Sequence, residues 1–143
     1  MIHLSIYIIG KNVVIPTVGR TVAGFWLEVL PVEVVPVNQR GGIEAAVAES
    51  IRRGNPVVPT PPRSAKATPV VVTAAKCRSW SEFVRNAKSW RVEWREGAIR
   101  IVPDREVADG ALSGDQSGAS ELSSRGDTNA DSIEIVSIIL GSV

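Results

Sequence analysis

The sequence predicts an α+β domain, a mainly antiparallel sheet with two or three helices packed on it. Three observations predict it. Short runs from Ile2 onward alternate apolar and polar residues with period two, as strands with one buried face do. Residues 43–53 and 80–87 instead repeat apolar side chains at i, i+3, i+4 and multiples, the spacing of a half-buried helix. Residues 90–95 and 98–102 are two alternating runs joined by Glu96-Gly97, a turn short enough to make them antiparallel neighbours.

Composition bounds the problem. With 143 residues, 44% apolar and 22% charged, the chain has the usage of one globular domain with a real core. A net charge of +1 gives the chain as a whole no pull toward nucleic acid or membrane. The charge is unevenly placed, however. Residues 1–75 carry seven Lys/Arg and four Asp/Glu, residues 76–105 eight and four, and residues 106–143 one and seven. A basic middle and an acidic end therefore attract each other within the chain. Cys77 is the only cysteine, so it has no disulfide partner in the chain, and no Cys/His cluster has zinc-site spacing. The N-terminal apolar run lacks a basic leader and is too short to span a bilayer, so the expectation is a cytoplasmic protein without a membrane segment.

Taken in order, residues 2–9 form a strand with Leu4, Ile6 and Ile8 on one side and His3, Ser5 and Tyr7 on the other. Residues 13–18 are a second strand, in which Pro16 suits an edge or a bulge. The stretch 21–37 fits either two extended runs or one long strand bent at Pro31, with Glu28 and Glu33 on solvent sides. A helix follows Gly41-Gly42 over 43–53, closed by Arg52 and Arg53 at the negative end of its dipole and by Gly54 as a left-handed cap. Pro56, Pro59, Pro61, Pro62 and Pro69 then make an extended strap, and residues 70–72 a short buried strand.

Three of the four tryptophans lie between residues 80 and 94. Ser79 and Glu82 have capping-box spacing, which starts a helix at Trp80 with Phe83, Val84 and Ala87 on its buried face. In the following strand Trp90, Val92 and Trp94 share one side, and Arg91, Glu93 and Arg95 the other. The expected packing sets Trp80 and Phe83 of the helix against Trp90 and Trp94 of the hairpin. These elements make residues 1–103 the core of the domain. Residues 104–130 read as a flexible or low-complexity loop, poor in large apolar side chains. Residues 131–143 resume an apolar pattern with Ile135, Ile138 and Ile139 on one helical face, and return to the core.

Catalytic chemistry finds little material. His3 is the only histidine and sits in a strand. Cys77, between Lys76 and Arg78 and ahead of a helix, has the cationic setting that lowers a thiol pKa, or is a small buried apolar group. The carboxylates Glu93 and Glu96 lie beside arginines and read as ion-pair partners. No phosphate loop, dinucleotide fingerprint or metal loop is present, so no catalytic residue, metal or cofactor is expected. One binding surface is: Arg91 and Arg95, with Arg100 from the next strand, form a basic strip, and Arg85 and Lys88 stand near it in sequence. Phosphate contact is one use for such a strip, but RNA-binding sheets interleave exposed aromatics with their cations, and here the two alternate to opposite faces.

The segments GNPVVPTPPR (54–63) and SWSEFVRNAKSWRVEWREGAIRIVP (79–103), with the valine run between them, resemble a pattern in small uncharacterised bacterial α/β proteins. The pattern is a proline strap, a helix opening on S-W-x-x-F, and a hairpin returning through a Gly turn. Residues 104–130 depart from it. Less specifically, the chain resembles the immunity proteins of contact-dependent growth inhibition systems, small cytoplasmic proteins that bind and block a toxin domain. The resemblance implies a non-enzymatic protein-binding module with a toxin domain as partner, and assigns no site residues. The other reading is a small regulatory or nucleic-acid-associated protein that uses the arginine face of the hairpin.

Overall fold

Strand β1 (Ile2–Ile9) places Leu4, Ile6 and Ile8 in one apolar cluster and Tyr7 in another on the opposite side, as its alternation requires. The computed structural model describes residues 1–65, 67–95, 97–106 and 111–143. Strands β2 (Asn12–Thr21) and β3 (Trp26–Pro36) extend the sheet on one side of β1. Strands β5 (Ala87–Arg95) and β6 (Ala98–Glu106) extend it on the other. Two short strands lie against β6: β7 (Leu112–Gly114) and β8 (Ser120–Leu122), with one 3-10 turn between them. The order is β3-β2-β1-β5-β6-β7, with β8 also on β6 and β4 (Val57–Val58) running parallel to β2. Every other pairing is antiparallel, so the α+β class read from the sequence holds.

Two fourteen-residue helices, α1 (Arg40–Arg53) and α4 (Thr128–Gly141), cover one face of the sheet. Two short ones, α2 (Val70–Ala74) and α3 (Trp80–Asn86), sit on the other. The larger core joins Ile6, Ile15, Trp90, Val92, Ile99 and Ile101 of the sheet to Ile43, Val47 and Ile51 of α1 and Ile135 and Ile139 of α4. The smaller one joins Tyr7 and Val14 to Val71 and Val72 of α2 and Phe83 of α3.

Prolines are accommodated where the ladder is broken. Opposite Pro16 and Thr17, the pairing jumps from Val32 to Val29, leaving Leu30 and Pro31 as extra residues of β3. The Leu30-Pro31 bond is cis, and the Pro31 carbonyl accepts a 2.9 Å hydrogen bond from the Thr17 hydroxyl. Stretch 26–36 is thus one strand across Pro31, the second of the two forms the sequence allowed. Beyond Val14, β2 leaves β1, and the Asn55 side chain fills the gap. Its oxygen accepts from the His3 N–H (2.9 Å), and its amide donates to the His3 and Val18 carbonyls (2.8 Å each). One side chain thus satisfies backbone groups of both strands at this point.

Several expectations are corrected. Residues 70–72 are helical rather than extended, because Val71 and Val72 bury both side chains against Tyr7 and Phe83 and tertiary burial outweighs β-branched preference. Helix α1 begins at Arg40, with both glycines inside its first turn. A Cβ on Gly42 would stand 3.1 Å from a Val35 methyl, so the small residue permits close approach to β3. The Ser79 hydroxyl accepts from the Glu82 N–H (3.1 Å) as the capping box requires, but Glu82 bonds back to the Arg78 N–H (3.1 Å), one residue early. Strand β6 runs four residues past Val102, and β7 and β8 lie within the stretch read as a loop. Gly97 of the hairpin turn has φ 84°, as such turns need; Glu96 lies outside the described residues.

The aromatic packing is also corrected. Trp80 stacks on Phe83, with ring centroids 5.6 Å apart, and Phe83 meets Tyr7 edge-on at 5.0 Å. Trp90 and Trp94 lie across the sheet from them, under α1 and α4. Helix α3 runs directly into β5 and rests on the Tyr7 side, while strand parity sends Trp90 and Trp94 to the other. Trp94 Nε1 donates to Asp131 Oδ2 of α4 at 2.9 Å, and the same carboxylate accepts from the Ser124 hydroxyl (2.6 Å) and the Arg125 N–H (2.8 Å). Burial alone raises this carboxyl, but the three hydrogen bonds overcome it and hold Asp131 below its ordinary pKa.

Candidate functional site

The face covered by the two short helices leaves a cleft of about 650 Å³ over β1, β5 and the upper part of β2–β3. Register explains its lining. Tyr7 lies opposite Ser89, Ser5 opposite Arg91 and His3 opposite Glu93, so all six side chains share this face. Past the bulge, Arg20 lies opposite Trp26 and Val18 opposite Glu28, and the hairpin brings those four to the same side. His3 and Trp26 rings stand 4.1 Å apart, and the Arg20 guanidinium lies 5.3 Å from the Trp26 centroid. Burial, foremost, lowers the His3 pKa and keeps the imidazole neutral at pH 7.

Two carboxylates form the polar floor. Glu28 Oε2 accepts a 2.6 Å hydrogen bond from the Tyr7 hydroxyl, with Ser5 as a second hydroxyl neighbour. It is not on a solvent side as the alternation suggested, because the register past the bulge sets it opposite Val18, on the Tyr7 side of the sheet. Burial raises the Glu28 carboxyl above its ordinary value, and burial together with the Glu28 charge raises the Tyr7 phenol. Asp104 of β6 is almost wholly enclosed: Ser89 donates to its Oδ2 at 2.7 Å, and Arg91 Nε lies 3.0 Å from its Oδ1. That second contact is off the line of a hydrogen bond, so Oδ1 is charge-paired yet receives no hydrogen bond.

The arginine strip is placed as strand parity requires, but it is not free. Arg91, Arg95 and Arg100 share the cleft face, with Glu93 directly opposite Arg100. Arg91 is held by Asp104 and donates to the Leu112 carbonyl at 3.3 Å. Arg100 bonds to the Gln116 side chain and lies 3.7 Å from Glu121. Arg95 rests on the Met1 sulfur at 2.9 Å. Lys88 is on the opposite face, its strand position matching Trp90, and Arg85 is exposed on α3. The five side chains therefore do not form one surface. Cys77 is likewise not activated: burial, with Glu82 beside it, raises its pKa despite the flanking cations. Among the described residues, no group of three or more His, Cys, Asp or Glu side chains is placed to hold a metal, and no helix is long and apolar enough to cross a membrane.

Apolar exposure is concentrated on the β2–β3 hairpin and β4. Of nine large apolar side chains exposed among the described residues, six belong to the β2–β3 hairpin and β4: Val22, Phe25, Trp26, Leu30, Val34 and Val57. Of these six, Trp26 also lines the cleft.

No protein-family model matches the chain, and no curated protein matches it. Solved structures do. A protein of unknown function from Neisseria meningitidis is similar with a TM-score of 0.69, over 99% of this chain and 94% of that one, at 12% identity. A chain of the CdiA-CT/CdiI toxin and immunity complex from Yersinia pseudotuberculosis is similar with a TM-score of 0.59, over 96% and 95%, at 10% identity. The fold is shared end to end. The first neighbour is of the uncharacterised bacterial kind that the proline strap and the 79–103 hairpin resemble, and the second comes from a toxin-immunity system, the kind the chain resembles less specifically.

Proposed function

We propose that the chain is a non-enzymatic protein-binding module, an immunity protein that binds and neutralises a toxin domain in the cytoplasm. The observation that carries the reading is the end-to-end likeness to a chain of a toxin and immunity complex. The surface supports it. Trp26 is exposed at a cleft with fixed polar groups, and five further large apolar side chains are exposed on the β2–β3 hairpin and β4, the mixed character of a protein interface. The alternative of nucleic-acid contact through the hairpin arginines has less support, because Arg91 and Arg100 are engaged by carboxylates of the chain itself.

The test is to read the neighbouring reading frames for a toxin domain and to co-produce the chain with the domain so found. The reading expects restored growth and a stable one-to-one complex of the purified proteins. Growth arrest undiminished by this chain, with no complex at micromolar concentrations, would overturn it.

A further inference from the structure

The tip of the β2–β3 hairpin is exposed and yet braced. Within the hairpin, the Thr21 N–H donates to the Phe25 carbonyl (2.8 Å), the Gly24 N–H to the Thr21 carbonyl (2.8 Å) and the Phe25 N–H to the Thr21 hydroxyl (3.0 Å). The proline strap holds it from outside. The Val22 N–H donates to the Val58 carbonyl (3.1 Å) and the Ala23 N–H to the Thr60 hydroxyl (2.9 Å), and Pro59 between those acceptors fixes the strap's backbone. A turn held on both sides has little freedom left to lose when a partner docks. Its large side chains are not spent on the core: Val22, Phe25 and Trp26, with Val57 beside them on β4, are all exposed.

Register sets three of these positions in a row. Arg20 pairs with Val57 of β4 on one flank and with Trp26 of β3 on the other, so the three side chains stand side by side on one face. The Arg20 guanidinium lies over the Trp26 ring, is exposed, and has no ion pair among the described residues. Glu28, two pairs further along the same strands, is occupied by the Tyr7 hydroxyl and lies in the field of Arg91. The Trp26 ring attracts the cation but carries no net charge, so Arg20 is left without a counter-charge.

We propose that this row anchors the protein partner, which sets a carboxylate on Arg20 and, next to it, an apolar side chain against Trp26 and Val57. The proposal rests on the protein-binding reading above and names the partner's chemistry at one point. Tryptophan and arginine are the residues that most often carry the binding energy of an interface. A carboxylate meets a guanidinium with two parallel hydrogen bonds, and apolar neighbours that exclude water strengthen the pair. One cation among apolar side chains suits one carboxylate rather than the run of phosphates of a nucleic acid.

The test selects short random peptides, displayed on phage, against the full-length protein, and measures the affinity of the selected peptides by fluorescence polarisation. The selected peptides should share an Asp or Glu next to a large apolar residue. Arg20→Gln and Trp26→Ser should each weaken them about tenfold or more, with the melting temperature maintained. Ile133→Ser, which removes an exposed apolar side chain from α4, should leave the affinity unchanged. Replacing the peptide's acid by its amide should weaken binding to the parent protein and add little to the loss in Arg20→Gln. No selected peptide, peptides without the acid, or binding indifferent to Arg20→Gln and Trp26→Ser would each overturn the proposal. If a toxin domain is neutralised by the chain and is bound equally well by both variants, this inference fails and the immunity reading stands. Peptides that follow the pattern, with no toxin domain neutralised, remove the immunity reading and leave the surface with its ligand.

Discussion

The two faces of the sheet are built from the same alternating strands and are put to different use. On one, α1 and α4, fourteen residues each, seal the sheet over Trp90, Val92, Ile99 and Ile101. On the other, helices of five and seven residues cover only the Tyr7, Val14 and Phe83 cluster and leave a cleft beside it. Two tryptophans mark the contrast: Trp90 is 4% exposed and Trp26 42%. A strand offers both faces equally, so helix length decides which becomes core and which stays open to a partner. The polar groups follow the same division. On the closed face, the Asp131 carboxylate accepts three hydrogen bonds; on the open face, Asp104 Oδ1 accepts none.

Substitutions can break this contrast. Trp90→Ala should have the largest effect, costing about 3–5 kcal/mol in chemical denaturation, because the ring is enclosed between sheet and helices. A cost below about 1 kcal/mol would mean that this face is not sealed. Asp131→Ala removes the acceptor of three hydrogen bonds and should cost about 3 kcal/mol at neutral pH. Since the folded-state pKa of Asp131 is lowered, its ionisation stabilises the protein above the unfolded value of about 3.9, and that stability is lost as pH falls through the folded value. The deficit of the variant should therefore narrow in acid, and denaturation curves at a series of pH values show whether it does.

On the open face, effects on stability should be small. Trp26→Ala should cost about 1 kcal/mol or less in thermal unfolding, since much of the ring is already in water. Glu28→Gln should stabilise the protein slightly, by about 0.5–1 kcal/mol at pH 7. The raised folded pKa of Glu28 means that the ionised form opposes folding, a penalty absent below the unfolded value and developing as pH rises through the folded one. The gain should accordingly vanish below about pH 4. A loss of stability in Glu28→Gln at neutral pH would mean that the carboxylate is already compensated, and the contrast between the faces would weaken.

Elements with strong local signals were legible in the sequence. Alternation in β1 and β5, the Ser79 cap and the apolar stripe of the C-terminal helix each state their structure within a few residues. Parity likewise placed Arg91, Glu93 and Arg95 together opposite Trp90 and Trp94. What depended on distant neighbours was hidden. Nothing local to 70–72 says that its valines are buried from a helix, and nothing near Glu28 says that the bulge opposite Pro16 and the register beyond it bring it to Tyr7. Asn55 was passed over for the same reason: its role is to bridge two strands more than thirty residues away in sequence. The arginine strip stood out because charge is visible in sequence, whereas its neutralisation by Asp104 and Glu121 depends on pairing across β6.

Hydrogen exchange of the chain, alone and with a toxin domain that it protects against, tests the division of faces most directly. Binding should slow exchange in residues 20–30 and 111–113, around the cleft and the exposed end of the β2–β3 hairpin, and leave α1 and α4 unchanged. Protection confined to α1 and α4, or no protection at saturating toxin, would contradict the assignment of the open face to recognition.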